Sequence, residues 1–257
     1  MTLLFIACNN SEQNNLHKTS TDDNKFKLEA ERISGTWLTS HYLDQIKEKK
    51  SIYAAKYDTE LFEVSLDITE LLGDTAILYG ATEHEGGYMS PICFDPKKNL
   101  FVNDSSRKED GNTTEEFELM IGAEGKLHIH FTKDNKTDIY KKVDDVQTEL
   151  RSILFSGNYH KPGNEHAKVY EFGFGTDGTL EGFGKRKYYE VAFDFGLGIN
   201  FDTLILFDKE EHNNWNGADL YKFEFKGDTM LLYPVTSNWD EMEQTVGALK
   251  YTLVRSK

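Results

Sequence analysis

Ile33-Ser34-Gly35-Thr36-Trp37 and, 122 residues later, Phe155-Ser156-Gly157-Asn158-Tyr159 are the stretches on which the fold turns. Each sets an apolar residue, Ser, Gly, a polar residue and an aromatic in the same order, at the head of a long strand-like run. Each run also closes alike, on Tyr140-Lys141-Lys142 in the first half and on Tyr251 followed by Arg255 in the second. A long period opened and closed by matching signals predicts two tandem β domains, residues 31–146 and 147–257, joined through the polar connection Asp144–Arg151. Because few residues carry the repeat, one larger sandwich is the alternative topology.

Between these signals the text reads as short strands separated by turns, the pattern of an all-β chain. The clearest strands are Leu61–Ile68, Thr75–Tyr79, Phe117–Ile121, Leu127–Phe131, Val169–Phe174 and Tyr188–Phe195, then Thr203–Phe207, Leu220–Phe225, Met230–Tyr233 and Leu249–Val254. The turns Ala123-Glu124-Gly125-Lys126 and Thr176-Asp177-Gly178-Thr179 put Gly where a hairpin needs positive φ. With 17 Phe and 13 Tyr, the composition favours half-buried pleated surfaces. One short helix is predicted around His41–Lys49, where Tyr42, Gln45, Ile46 and Lys49 fall on a helical period.

Gly35-Thr36-Trp37 at the head of such a run resembles the G-x-W opening of lipocalins and the wider calycin barrels. The resemblance implies two tandem antiparallel barrels. In each, Gly bends the chain into the first strand, and an aromatic closes one end beneath a cation from the last strand. In the first half these residues are Gly35 and Trp37, with Lys141 or Lys142 as the cation. In the second they are Gly157, Tyr159 and Arg255, with Tyr replacing the Trp. The surrounding text also looks like that of uncharacterised secreted lipoproteins.

The N-terminus supplies an address. Met1-Thr2-Leu3-Leu4-Phe5-Ile6-Ala7-Cys8 is followed by Asn9-Asn10-Ser11-Glu12-Gln13-Asn14-Asn15, an apolar run ending in Ala-Cys and an abrupt polar switch. This resembles the lipobox of bacterial lipoproteins. The resemblance implies cleavage before Cys8, a diacylglycerol on its thiol, and a body held at the outer membrane, in the periplasm or at the cell surface. Residues 1–7 are then a signal-peptide remnant and residues 8–30 a disordered tether, too polar to offset the entropy of ordering. The run lacks a basic n-region and is short for a signal peptide, so the true start codon stays open. With Cys8 acylated, Cys93 is left without a partner.

Charge excludes one class of partner. The net charge is −15 and the pI about 5.0, whereas nucleic-acid binding needs a basic footprint. Residues 31–150 hold 24 acids against 14 bases, so the first half is the place to meet a basic partner. No run beyond residue 8 approaches the roughly 18 apolar residues of a membrane-crossing helix.

Gly173-Phe174-Gly175-Thr176-Asp177-Gly178 fits G-x-G-x-x-G, but it leads into Thr179-Leu180-Glu181, another strand, and so reads as a glycine-rich hairpin rather than a dinucleotide loop. His128 and His130 share one strand face, and His84 could add a third metal ligand; a polar strand face beside an acidic loop is the plainer reading. Asp208–Asp219 is rich in oxygen donors but lacks the glycine placement of an EF-hand. Asp74-Thr75-Ala76, Asp202-Thr203-Leu204 and Asp228-Thr229-Met230 resemble a bacterial O-glycosylation signal, and each also reads as a turn entering a strand. No catalytic residue, metal or cofactor is assigned, and no nucleophile elbow occurs.

The expectation is therefore a lipid-anchored protein without an assigned catalytic centre. It would bind a small apolar or amphipathic ligand inside a barrel lined by Tyr170, Phe172, Phe174, Tyr189 and Phe193. The alternative is a surface module gripping a protein or glycan partner through its acidic first half and loops such as Thr82–Met89 and His212–Asp219.

Overall fold

A computed structural model of the chain describes residues 20–55, 65–72, 75–81, 87–103, 116–163, 171–193, 195, 200–209, 217–238 and 243–256. It is mostly β, built from antiparallel sheet with four helices. The chain divides into two compact units. The first runs to Ser40 and resumes through Val143; the second takes a segment beginning at His41 and everything from Asp144.

The first unit opens with helix α1 (Ser20–Ile33). This corrects the expected disordered tether over residues 8–30, at least from Ser20 onward. Its apolar residues are few but correctly spaced. Phe26, Ala30 and Ile33 recur at helical period and are all buried, while Glu29 and Arg32 pair across the solvent side at 2.9 Å. Strands follow as β1 (Gly35–Thr39), β2 (Ser65–Leu72), β3 (Thr75–Ala81), β4 (Gly87–Asp95), β5 (Leu100–Asn103), β6 (Phe117–Ile121), β7 (Leu127–Phe131) and β8 (Lys136–Val143). Each pairs with the next, and β8 returns to pair with β1, Trp37 opposite Lys142. Alternation then sends Trp37, Ile68, Ala76, Leu78, Ile92, Phe101, Leu119, Leu127, Ile129 and Tyr140 into one core, which Phe26, Ala30 and Ile33 of α1 complete.

The second unit begins in the first half of the sequence. Helices α2 (Ser40–Lys49) and α3 (Ile52–Ala55) bury Tyr42, Leu43, Ile46, Ile52 and Ala55. The carboxylate of Asp202 holds them. It accepts the Ser51 hydroxyl and the N–H groups of Ile52 and Tyr53, the last two at 2.7 and 2.9 Å. A distant side chain thus caps the first turn of α3. The domain boundary drawn between residues 146 and 147 leaves this segment on the wrong side.

The connection read as a polar linker is instead helix α4 (Val146–Leu154), capped by Asp145, whose carboxylate accepts from Thr148 N at 2.7 Å. Beyond it come β9 (Gly157–His160), β10 (Phe172–Phe174), β11 (Leu180–Glu181), β12 (Tyr188–Val191), β13 (Thr203–Phe207), β14 (Asp219–Lys226), β15 (Thr229–Asn238), β16 (Glu243–Val246) and β17 (Tyr251–Arg255). The sheet runs β11-β10-β9-β17-β15-β14-β13-β12, with β16 also on β15. Its two ends meet at a single bridge, Thr179 with Tyr188, so this sheet curls without the continuous ladder that the first unit has. Among the described residues four helices stand where one was predicted, and α2 is that one.

Candidate functional site

Both units are built on the same clamp. In the first, Trp37 Nε1 donates to the carbonyl of Ile33 at 2.7 Å, and Lys142 Nζ stands 5.5 Å from the indole centroid. In the second, the Tyr159 hydroxyl donates to the carbonyl of Phe155 at 2.9 Å, and Arg255 Cζ stands 5.5 Å from the phenol centroid. The aromatic reaches back four residues in each case, to the end of the preceding helix. Gly35 and Gly157 make the bend at φ +112° and +135°, and a Cβ on Gly35 would come within 2.9 Å of Lys142 Cε. Of the two lysines offered by the sequence, Lys142 is the one over the ring. Arg255 does more than Lys142, since its guanidinium also donates to Tyr159 Oη at 2.8 Å and to the Leu154 carbonyl at 2.7 Å.

The clamp defines two ends of the second unit. At the α4 end Phe155 packs against Phe174, Tyr189, Phe223 and Phe225, with centroids 4.9–5.8 Å apart. Two of the residues expected to line a ligand, Phe174 and Tyr189, belong to this packing. Tyr189 is further committed: its hydroxyl donates to the Gly175 carbonyl at 2.8 Å, and Arg151 lies over its ring at 5.5 Å. Burial pushes its phenol well above the ordinary value. These residues fill the α4 end with protein rather than line a space there.

A second aromatic group adjoins the first. Phe172 contacts Phe183 at 5.0 Å and Tyr251 at 6.0 Å; Phe183 contacts Tyr251 at 5.3 Å, and Tyr221 contacts Tyr251 at 5.9 Å. Tyr221 and Tyr251 lie farther along β14 and β17 than Phe225 and Arg255, whereas Phe172 stands opposite Tyr159 and Phe183 contacts Phe174 at 5.5 Å, so this group continues the packing around Phe155. Lys250 covers this group, its ammonium 5.3 and 5.4 Å from the Tyr221 and Tyr251 centroids and donating to Tyr221 Oη at 2.8 Å. The hydrogen bond to Tyr221 raises the lysine's pKa, so it is a firm cation, while burial raises that of Tyr221.

Of the expected lining residues, Phe172 joins this group and Phe174 touches it through Phe183 at 5.5 Å. Phe193 is half-buried beyond β12, and Tyr170 lies outside the described residues. Phe183, Tyr221, Tyr251 and Lys250 escaped the sequence reading. Tyr221 and Tyr251 lay within recognised strands, but nothing in one strand's text says which other strand will face it.

The remaining candidates separate. His128 and His130 share the outward face of β7, yet His128 Nε2 is 2.6 Å from Glu124 and His130 Nδ1 is 3.1 Å from Thr137. Among the described residues no group of His, Cys, Asp and Glu is arranged to hold a metal, and His84 lies outside them. The glycine-rich segment forms the hairpin between β10 and β11, with Asp177 accepting from Thr179 N at 3.0 Å. Asp208 and Asp219, which bound the oxygen-rich loop, are both held by Arg186, at 2.6 and 2.8 Å. Thr203, in one Asp-Thr-Leu signal, is buried at 2 % exposure and offers no acceptor for a sugar. Cys93 is disulfide-bonded. Cys8 lies outside the described residues.

Among the described residues no helix is long and apolar enough to cross a membrane. No family model, curated protein or solved structure matches the chain.

Proposed function

We propose that the chain is a non-enzymatic binding protein of the bacterial cell envelope, tethered to the outer membrane through Cys8, with lipocalin-like units. Its second unit takes a small apolar or amphipathic ligand beside Tyr221 and Tyr251. The observation that carries this reading is the aromatic group Phe172, Phe183, Tyr221 and Tyr251 gathered under the Lys250 ammonium. Aromatic faces with one placed polar group are the usual lining of small-molecule sites. The repeated helix–glycine–aromatic–cation clamp supports the lipocalin-like reading, and the Ala7-Cys8 junction with its polar sequel supports the anchor.

Native mass spectrometry of the chain from residue 20 onward, purified gently from a bacterial host, tests the ligand. A retained small-molecule mass that Tyr251→Ala abolishes is the expected result. A clean apo mass, unchanged after incubation with envelope lipid extract, would remove the carrier reading.

A second reading, a surface module for a protein or glycan, draws on the first unit. Tyr79 and Met89 face each other across β3 and β4 and are 37 % and 60 % exposed, an unusual outlay of apolar surface on a sheet. Envelope cross-linking from a photoreactive residue at position 89 would capture a discrete partner if this reading holds, and diffuse or no products if it does not.

A further inference from the structure

We infer that Thr229 is a site of O-glycosylation, its hydroxyl carrying a sugar at the tip of the β14–β15 hairpin. This goes beyond the ligand reading and rests only on the envelope address proposed for the chain.

Three Asp-Thr pairs followed by an apolar residue resemble the bacterial acceptor signal, and the fold does not treat them alike. Thr203 lies in β13 at 2 % exposure, its hydroxyl donating to the Phe201 carbonyl at 3.2 Å. A sugar there would have to displace close-packed core. The side chain of Thr75 lies outside the described residues. Thr229 is placed differently. Gly227, at φ +61°, and Asp228 make the turn of the hairpin, and Lys226 and Thr229 form its first cross-strand pair. Lys226, Gly227 and Asp228 are exposed and Thr229 is partly so. Met230 and Leu232 are fully buried, so alternation turns Thr229 to the opposite side of the sheet. A sugar on its Oγ1 extends from the hairpin without entering the core.

The hairpin also separates the part of the signal that could be read from the part that holds the fold. The turn is fixed through its main chain, the Asp228 carbonyl accepting the N–H of Arg255 at 2.9 Å. The Asp228 carboxylate stands exposed beside the acceptor hydroxyl. Met230, the apolar residue of the signal, is buried, so a transferase that reads all three residues acts before β15 docks. The folded unit then accommodates a sugar at position 229 but not at 203. The donor class is a sugar linked to a lipid pyrophosphate. The Thr229 Oγ1–C1 bond forms as the bond from C1 to the pyrophosphate oxygen breaks. The lipid pyrophosphate leaves with the electron pair, and the hydroxyl proton passes to a base of the transferase.

The full-length protein is recovered from fractionated cells of its own host, and its peptides are mapped by electron-transfer fragmentation, which keeps sugars on their residues. A glycan mass on Thr229 and an unmodified Thr203 are expected in the envelope fraction. Thr229→Val and Asp228→Asn each abolish that mass with the melting temperature unchanged, and Thr229→Ser retains it. An unmodified Thr229 in envelope protein, or a glycan on this hairpin that survives either of the first two substitutions, overturns the inference and leaves the address standing. Protein found only in the cytosol removes the address and the inference together.

Discussion

Asp202 caps helix α3 through Ser51, a residue 151 positions earlier in the chain, and adds the N–H groups of Ile52 and Tyr53 to the same carboxylate. Asp202→Ala leaves two buried N–H donors and a hydroxyl without an acceptor, at a cost of about 1–3 kcal/mol. Asp202→Asn keeps one oxygen and is expected to cost less. Urea midpoints at pH 7 rank the two; equal losses would mean that the cap contributes through packing alone.

The same carboxyl gives the fold a pH dependence of defined sign. Burial pushes its pKa up, outweighing the three donors that pull it down. Folding therefore favours the protonated form relative to the unfolded chain, where the value is about 3.9. The linked stability is fully present below that value and is lost as the pH rises through the folded one. The stability of wild type minus Asp202→Asn is expected to decline from about pH 3.5 to 7; a difference that is flat or rises with pH would refute the assignment.

The two clamps are matched in geometry but not in strength. Arg255 hydrogen-bonds two acceptors as well as covering Tyr159, whereas Lys142 is exposed and contributes chiefly its position over Trp37. Arg255→Lys cannot reach both acceptors from one ammonium and is expected to cost about 1–2 kcal/mol, against under about 1 kcal/mol for Lys142→Met. Denaturation midpoints decide the order, and a larger loss at Lys142 would reverse the argument.

The sulfur of Cys8 has two possible fates, and they are mutually exclusive. If the lipoprotein reading holds, protein recovered from its own envelope carries a diacylglyceryl mass on the Cys8 peptide, and Cys93 alkylates without prior reduction. If Cys93 alkylates only after reduction and no lipidated peptide is found, the anchor is lost from the proposal. Peptide mapping with and without reductant distinguishes them.

Much of the sheet was legible because its signals are local. Phe117–Ile121, Leu127–Phe131 and Thr203–Phe207 are strands with the bounds that alternation and flanking turns predict. The clamp residues Gly35, Trp37, Gly157, Tyr159 and Arg255 were legible because a repeat displays them twice. Helices α1 and α4 were not. In α1 four apolar residues, Phe26, Leu28, Ala30 and Ile33, among many polar ones describe a tether as well as they describe a narrow buried stripe, and only the core that receives Phe26 decides between them. In α4 the Val146, Leu150 and Leu154 period is present, but it lies in a short, mostly polar stretch between two strand-rich runs. The ring group at Tyr221 and Tyr251 depends on strand register and so on contacts between distant parts of the chain, which no single segment encodes.

The placement of α2 and α3 imposes an order on synthesis. Tyr42, Leu43, Ile46 and Ile52 leave the ribosome long before Asp202, and at about 5–20 residues per second the interval is roughly 8–30 s. The strands on either side of this segment can pair as soon as Val143 has emerged, while the segment itself waits as an apolar loop for a sheet not yet translated. A pause, a truncation or a premature stop anywhere in the second half would leave that loop exposed on a finished first unit, a ready target for chaperones and proteases.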